Sequence, residues 1–133
     1  MAERIPLLKT LVMKRNYSIF ARRRMAGMNT NNLMAQLTEL AQQLSGSVSE
    51  VILFGSRARN DARPDSDWDL LILVNKDRLA PEDFSHYAYP FMLLGFDNDA
   101  MVNPLLYTEK DWEKRSFTPL YKSIKEEGIR LCH

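Results

Sequence analysis

Residues 51–74 read VILFGSRARNDARPDSDWDLLILV, and this stretch decides the fold. Val51–Phe54 is apolar at every position, which is typical of a strand buried on both faces. Gly55-Ser56 ends that strand, and the polar residues 56–66 predict a loop or a single helical turn. A second apolar run from Trp68 to Val74 predicts another strand. The stretch therefore contains two strands joined by a polar connection.

Helical patterns surround these two strands. The other predicted elements are a helix over 31–44, a helix from Pro81 to Gly95, a strand over 101–107, a helix from Thr108 through Trp112, and a helix from Thr118 to Gly128. Pro90 should kink or restart the second helix, and Pro104 places the third strand at a sheet edge or a bulge. This order predicts an α/β fold, a small mixed sheet with helices mainly on one face.

Length and composition limit the class of protein. A chain of 133 residues suits one domain, and its single cysteine, Cys132, cannot form an internal disulfide. We therefore expect a reducing compartment and a cytoplasmic protein. No apolar run approaches the roughly 20 residues that a membrane span needs, so we expect no membrane partner.

Positive charge is concentrated at the start of the chain. Residues 1–28 carry seven basic residues and a single acid, Glu3. Such an arm is compatible with nucleic-acid contact, with a targeting peptide, or with an extension outside the domain. The arm lacks both a basic amphipathic pattern and interleaved stacking aromatics, so we favour the last interpretation. We predict an extension over 1–27, a domain over 28–133, and no direct nucleic-acid binding.

Two aspartates open the second strand. Because successive side chains on a strand alternate, Asp67 and Asp69 share a face with Leu71 and Leu73. Neighbouring carboxylates raise each other's pKa unless a cation lies between them. Mg²⁺ prefers carboxylate and phosphate oxygens, and two such ions can clamp the attacking and leaving oxygens of a phosphoryl displacement. The pair predicts a magnesium site.

The Gly55-Ser56 turn supplies a complementary phosphate site. Glycine lets the backbone turn sharply and approach a ligand closely. The N–H groups of the turn and the Ser56 hydroxyl can hold phosphate oxygens. Arg57 and Arg59 either add positive charge there or anchor the loop by pairing with nearby aspartates, and both interpretations stay open.

Gly55-Ser56, ten residues, and then Asp67-x-Asp69 resembles the signature of the DNA polymerase beta-like nucleotidyltransferase superfamily. The residues Gly-Ser-Arg-Ala-Arg before Ser-Asp-x-Asp-Leu are similar to the motif of its minimal nucleotidyltransferase branch. The resemblance extends from about Thr30 to the end of the chain. The resemblance implies the polymerase beta-like fold. It implies that Gly55 and Ser56, with Arg57, hold the phosphates of ATP or another NTP, and that Asp67 and Asp69 bind two Mg²⁺ ions.

The resemblance also implies a reaction and a partner. Such enzymes move a nucleoside monophosphate, here expected to be AMP, from the NTP to an acceptor. Many of them are antitoxins paired with HEPN-domain proteins, and some AMPylate that partner. The alternative is a non-catalytic antitoxin or binding module with a vestigial site.

The sequence departs from this family in two places. Asn60 stands where relatives usually have glycine, and asparagine tolerates a left-handed backbone. The third carboxylate, expected on a later strand, is less obvious. We assign it to Asp99, as a catalytic residue and metal ligand, although the same position could fall on Met101 or Asn103. Without an acid there, general-base assistance would be weaker.

Aromatic residues near the end of the domain have two interpretations. Trp112, Phe117 and Tyr121 are expected to pack in the core, and the alternative is a partner-binding face. His86 lies among apolar residues and is expected to pack rather than to act in catalysis. Ser66 is expected to cap the polar connection.

Overall fold

Four strands form one mixed sheet in the part of the chain that the structure, a computed structural model, describes, residues 30–132. They are β1 (Val48–Phe54), β2 (Trp68–Val74), β3 (Val102–Thr108) and β4 (Ile129–Cys132). Their order across the sheet is β3-β2-β1-β4. β1 runs antiparallel to β2 and β4, whereas β2 and β3 are parallel. The predicted extension over 1–27 lies outside the described residues.

Helices connect the strands close to the predicted positions. They are α1 (Thr30–Gln43), α2 (Ser56–Arg59), a π-helical segment (Phe84–Ala88) that leads into α3 (Tyr89–Asp97), α4 (Glu109–Glu113) and α5 (Pro119–Glu127). Pro90 lies in the first turn of α3, where the π-helical segment changes to an α-helix, in agreement with the predicted kink or restart. Thr108 and Thr118 cap α4 and α5 through their side chains. Among the described residues, no helix is both long and apolar enough to cross a membrane.

Gly95 does not end its helix, contrary to the prediction. The helix continues to Asp97, and Gly95 lies where α3 packs closely against the start of β3. A Cβ there would come within 2.7 Å of a Val102 methyl group and 2.9 Å of the Ala100 carbonyl. The glycine is therefore needed for close packing rather than for termination.

The two faces of β2 contribute to different apolar clusters. Trp68, Leu70, Ile72 and Val74 join the larger cluster, which lies under α1 and α3. Leu71 and Leu73 join a smaller one with Trp112 and Ile124 from α4 and α5. The alternation confirms the predicted sharing of faces, and the mixed sheet with its main helix layer on one face confirms the fold class. The second face is also partly covered, because α4 and α5 pack on it around Leu71 and Leu73, which follow the aspartates along β2.

β4 is a strand that the sequence did not predict. Its four residues alternate weakly, since only Leu131 and Cys132 are buried while Ile129 and Arg130 are exposed. A run of this length with a charged residue carries little periodic signal. Pairing with β1 stabilises β4: the two strands form an antiparallel ladder, and Arg130 forms a 2.8 Å ion pair with Glu50 of β1.

Candidate active site

The turn after β1 lies directly against one of the two aspartates. Phe54, the last residue of β1, pairs with Asp69 in the antiparallel ladder, so Gly55 follows beside that carboxylate. Gly55 has φ 78° and ψ −157°, a conformation almost restricted to glycine. A side chain there would place its Cβ 2.5 Å from Oδ2 of Asp69. The structure therefore brings the Gly55-Ser56 turn and Asp69 together at one end of the sheet.

Asn103 completes a polar cluster with the two aspartates. The parallel pairing of β2 and β3 sets Asn103 beside Asp69, and Nδ2 of Asn103 donates a 2.7 Å hydrogen bond to Oδ2 of Asp67. Burial raises the pKa of Asp69, and the charge of Asp67 raises it further. The Asn103 amide and the Arg59 charge act in the opposite direction. The charge of Asp67 thus opposes the ionisation of Asp69, and the raised pKa of Asp69 agrees with the effect expected from their spacing.

The donor atoms of this cluster suit a hard divalent cation shared with a substrate. Two carboxylates and an amide oxygen are oxygen ligands, and Mg²⁺ is commonly bound by one or two carboxylates together with substrate phosphates. Within residues 30–132, no group of three or more His, Cys, Asp or Glu side chains could hold a metal. Asp67 and Asp69 are thus the residues that could hold such a cation together with substrate phosphates.

Asp99 is not the residue that β3 places in register with the aspartate pair. It lies in the turn between α3 and β3, outside the strand, with φ 54° and an exposed side chain. The residue in register with Asp69 is Asn103, one of the two alternatives that the sequence left open. The alternation of side chains along β3 allowed Asn103 at this position, but the family's acidic residue there favoured Asp99. The position beside the pair therefore carries an amide instead of a third carboxylate.

Arg57 holds the polar connection together. Its Nη2 donates hydrogen bonds to the carbonyl oxygens of Pro64 (3.1 Å) and Ser66 (2.9 Å), and its guanidinium stacks 4.7 Å from the centre of the Trp68 ring. The anchoring interpretation is thus realised, through carbonyl groups rather than an aspartate. A phosphate-binding role for Arg57 stays a prediction, as it does for Gly55 and Ser56.

Other polar residues of the connection behave as the sequence indicated. Arg59 pairs with Asp61 at 3.2 Å and with Glu127 at 3.4 Å. Ser66 caps the loop by accepting a 2.8 Å hydrogen bond from the backbone N–H of Arg63. Asn60 adopts the left-handed conformation, φ 65°, that asparagine tolerates.

The aromatic series divides between packing and exposure. The Trp112 ring lies 5.2 Å from the Tyr121 ring and 5.4 Å from the Tyr107 ring, within the smaller apolar cluster. Phe117, in contrast, is 77% exposed. His86 is half-buried and its ring contacts that of Tyr87, which agrees with a packing role.

Comparison with protein families matches residues 33–131 to the family described as "Nucleotidyltransferase domain". The chain belongs to this family. The match covers well over half of the 133 residues and includes both the glycine turn and the aspartates. It supports nucleotidyl transfer as the general chemistry of this nucleotidyltransferase domain. A comparison with curated proteins found no match.

Proposed function

We propose that this nucleotidyltransferase domain moves AMP from ATP onto a hydroxyl group of a partner protein, in a reaction that depends on Mg²⁺. The observation that carries the proposal is the contact between the Gly55 turn and Asp69. A phosphate-binding turn and a cation-binding carboxylate in contact can hold both parts of a metal–nucleotide complex at once.

The roles of the chain's own residues follow from their positions. Backbone N–H groups at Gly55-Ser56 and the Ser56 hydroxyl bind the phosphate tail, while Asp67 and Asp69 hold the cation. When bound, the cation neutralises phosphate charge and orients the tail. Asn103 holds Asp67 in position through its 2.7 Å hydrogen bond. These residues act by positioning and electrostatics, which dominate phosphoryl transfer.

The bond changes are those of an in-line displacement. The acceptor oxygen forms a bond to the α-phosphorus as the bond from that phosphorus to the bridging oxygen breaks. Pyrophosphate leaves with the electron pair, and the acceptor's proton is released to solvent at this exposed site. The product is an acceptor with a covalently attached AMP group.

A HEPN-domain toxin is the acceptor that the family resemblance implies. The domain's small size agrees with an acceptor delivered by another protein. In this proposal AMP transfer inactivates the toxin, and the chain is its cytoplasmic antitoxin.

The test combines α-labelled ATP, Mg²⁺ and the HEPN-domain toxin proposed as the acceptor. We expect label on the toxin and a mass increase of one nucleotide. Asp67→Asn with Asp69→Asn should abolish transfer, because each exchange keeps the side-chain shape but removes a cation ligand. Circular dichroism should show the variant folded. Transfer at the normal rate by this double variant would refute the proposed site.

A second candidate function is neutralisation by contact alone, with a vestigial site. The amide of Asn103 beside Asp69 favours it, because a neutral group there gives no general-base assistance. Co-expression decides between the two: protection by the Asp67→Asn, Asp69→Asn variant indicates contact, whereas restored toxicity indicates enzymatic neutralisation. Asn103→Asp should increase transfer only if the site is used for catalysis.

A further inference from the structure

An open groove lies between the polar connection that precedes Asp67 and the turn that precedes β3. Its volume is about 410 Å³, and it is lined by Pro64, Asp65, Ser66, Phe96, Asp99, Ala100 and Met101. Ser66 is adjacent to Asp67 in the chain, and Met101 lies two residues before Asn103. The groove therefore lies at the end of the sheet where β2 and β3 begin, and Asp67 directly follows one of its walls in the chain.

Two large apolar side chains line the groove and remain in contact with solvent. Phe96 is 49% exposed and Met101 is 47% exposed. A single exposed apolar side chain is ordinary, but a group of them around a concavity marks a surface that another molecule covers. The rest of the apolar lining is Pro64 and Ala100.

Hydrogen bonds hold both walls of the groove in place. On one side, Arg57 donates to the carbonyls of Pro64 and Ser66. On the other, the N–H of Ala100 donates to the carbonyl of Gly95 at 2.8 Å. The Met101 carbonyl accepts a 2.8 Å hydrogen bond from the N–H of Trp68, which ties this wall to β2. A preformed surface loses less freedom when a partner binds.

The negative charge of the groove favours a basic polypeptide over nucleic acid as its ligand. Asp65 and Asp99 are both exposed at its edge, and none of the described residues lining it is basic. Such a surface repels the phosphates of nucleic acid and attracts lysine or arginine. An apolar floor with an acidic rim fits a polypeptide that places an apolar side chain between basic ones.

We infer that this groove binds the acceptor polypeptide, through an apolar side chain flanked by lysine or arginine, and so delivers a neighbouring hydroxyl to Asp67 and Asp69. The inference rests on the proposed function and specifies its substrate. Its test separates the two by measuring peptide binding without nucleotide transfer.

The probes are a tyrosine peptide with leucine and arginine around the tyrosine, the same peptide with glutamate for arginine, and a single-stranded oligonucleotide. Affinities are measured by fluorescence anisotropy, and the binding site is mapped from ¹⁵N amide shifts. We expect the basic peptide to bind tightest and to shift residues 64–66 and 96–101. Phe96→Ser should weaken it about tenfold, as for a buried aromatic anchor, and Asp65→Asn about threefold, as for an exposed charge pair.

Matched controls identify the groove as the cause. Phe84 is exposed to a similar extent, 43%, at the other end of the same helical segment, so Phe84→Ser should leave peptide affinity unchanged. Asp77→Asn removes an exposed charge elsewhere and should also have no effect. Binding of manganese–ATP, measured by calorimetry, should be equal in wild type and Phe96→Ser.

Several results would overturn the inference. These are no binding of the basic peptide, equal binding to Phe96→Ser and wild type, or preference for the oligonucleotide. Peptide binding that depends on Phe96 but is followed by no AMP transfer would support the groove and reject the proposed reaction. Transfer to the toxin that is unaffected by Phe96→Ser would reject the groove and leave the reaction.

Discussion

Gly55 and Asp69 depend on each other at the scale of single residues. Gly55 adopts a conformation that an L side chain reaches only at a cost of about 1–3 kcal/mol. The space left by its missing side chain is occupied by the Asp69 carboxylate. One glycine thus allows both the turn after β1 and the approach of a cation ligand to that turn.

A pair of glycine substitutions separates these two effects. Gly55→Ala should reduce the free energy of unfolding by about 1–3 kcal/mol and also weaken manganese binding, since its methyl group displaces Asp69. Gly46→Ala is the control, because Gly46 also has positive φ, 105°, but a Cβ there meets nothing within 4 Å. It should reduce stability and leave manganese affinity unchanged. Urea denaturation and manganese titration measure the two quantities, and equal manganese affinity in both variants would contradict the contact.

The raised pKa of Asp69 predicts a pH dependence. A carboxyl group whose pKa is higher in the folded state binds more protons there, so its contribution to stability is lost as the pH rises through that pKa. Asp69→Asn should therefore stabilise the protein relative to wild type in the presence of chelator, increasingly so from about pH 4, near the ordinary aspartate pKa, to neutral pH. Urea denaturation across this range measures it. A difference that does not change with pH would contradict the assignment.

The same residue scale shows where sequence reasoning was sufficient. The turn at Gly55-Ser56 and the shared face of Asp67 and Asp69 were predicted because alternation and spacing are properties of the chain itself. The residue beside Asp69 was not determined, because it depends on the register between β2 and β3. Asn103, rather than Asp99, takes that position once Trp68 pairs with Val102. Neither composition nor the alternation of side chains predicts the register between two strands.

At the scale of elements, the connection between β1 and β2 is anchored by one side chain, Arg57. Arg57 links α2 to the carbonyls of Pro64 and Ser66, and its stacking on Trp68 attaches the loop to the larger cluster. Asp67 directly follows this loop. The position of the first aspartate is therefore set by Arg57 as well as by β2.

Arg57→Lys tests this arrangement. Lysine keeps the charge but cannot reproduce the planar fork and the stacking, so we expect a loss of about 2 kcal/mol in unfolding free energy. Manganese affinity should fall as well, because the loop before Asp67 loosens. Arg59→Lys is the control for stability, since its ion pairs are exposed and should contribute little. Equal stability of the two variants would contradict an anchoring role for Arg57.

The predicted elements differ from the observed ones where tertiary contacts override local signals. Gly95 carries a termination signal, but close packing against Val102 uses the glycine differently. The helix predicted from Pro81 begins instead at Phe84 with a π-helical turn. β4 exists because β1 has an edge to pair with. Strong periodic segments such as α1 and β2 were predicted because their apolar patterns alone specify them.

At the scale of the whole molecule, incomplete coverage of one sheet face leaves room for the site. The larger cluster covers one face of β2, while α4 and α5 cover the other face only around Leu71 and Leu73. Asp69 lies on that second face, beyond the helices, and is half-buried. The site is therefore held by a complete core on one side and remains open to nucleotide and acceptor on the other.

The domain boundary predicts how a shortened chain behaves. The family match begins at residue 33, and both apolar clusters are built from residues 33–132 within the part of the chain that the structure describes. Removal of residues 1–27 should therefore leave the unfolding midpoint in urea and the affinity for manganese–ATP unchanged. The removed segment carries seven basic residues and one acid, and the remaining residues are net acidic, so any weak, salt-dependent binding of oligonucleotide should disappear with the segment. The full chain and the 28–133 fragment are compared in both assays, and oligonucleotide affinity is measured at two salt concentrations.

A lower unfolding midpoint for the fragment would show that the extension is part of the domain. Oligonucleotide binding that persists in the fragment would place the nucleic-acid contact on the domain itself and would contradict the prediction that the net acidic domain does not bind nucleic acid.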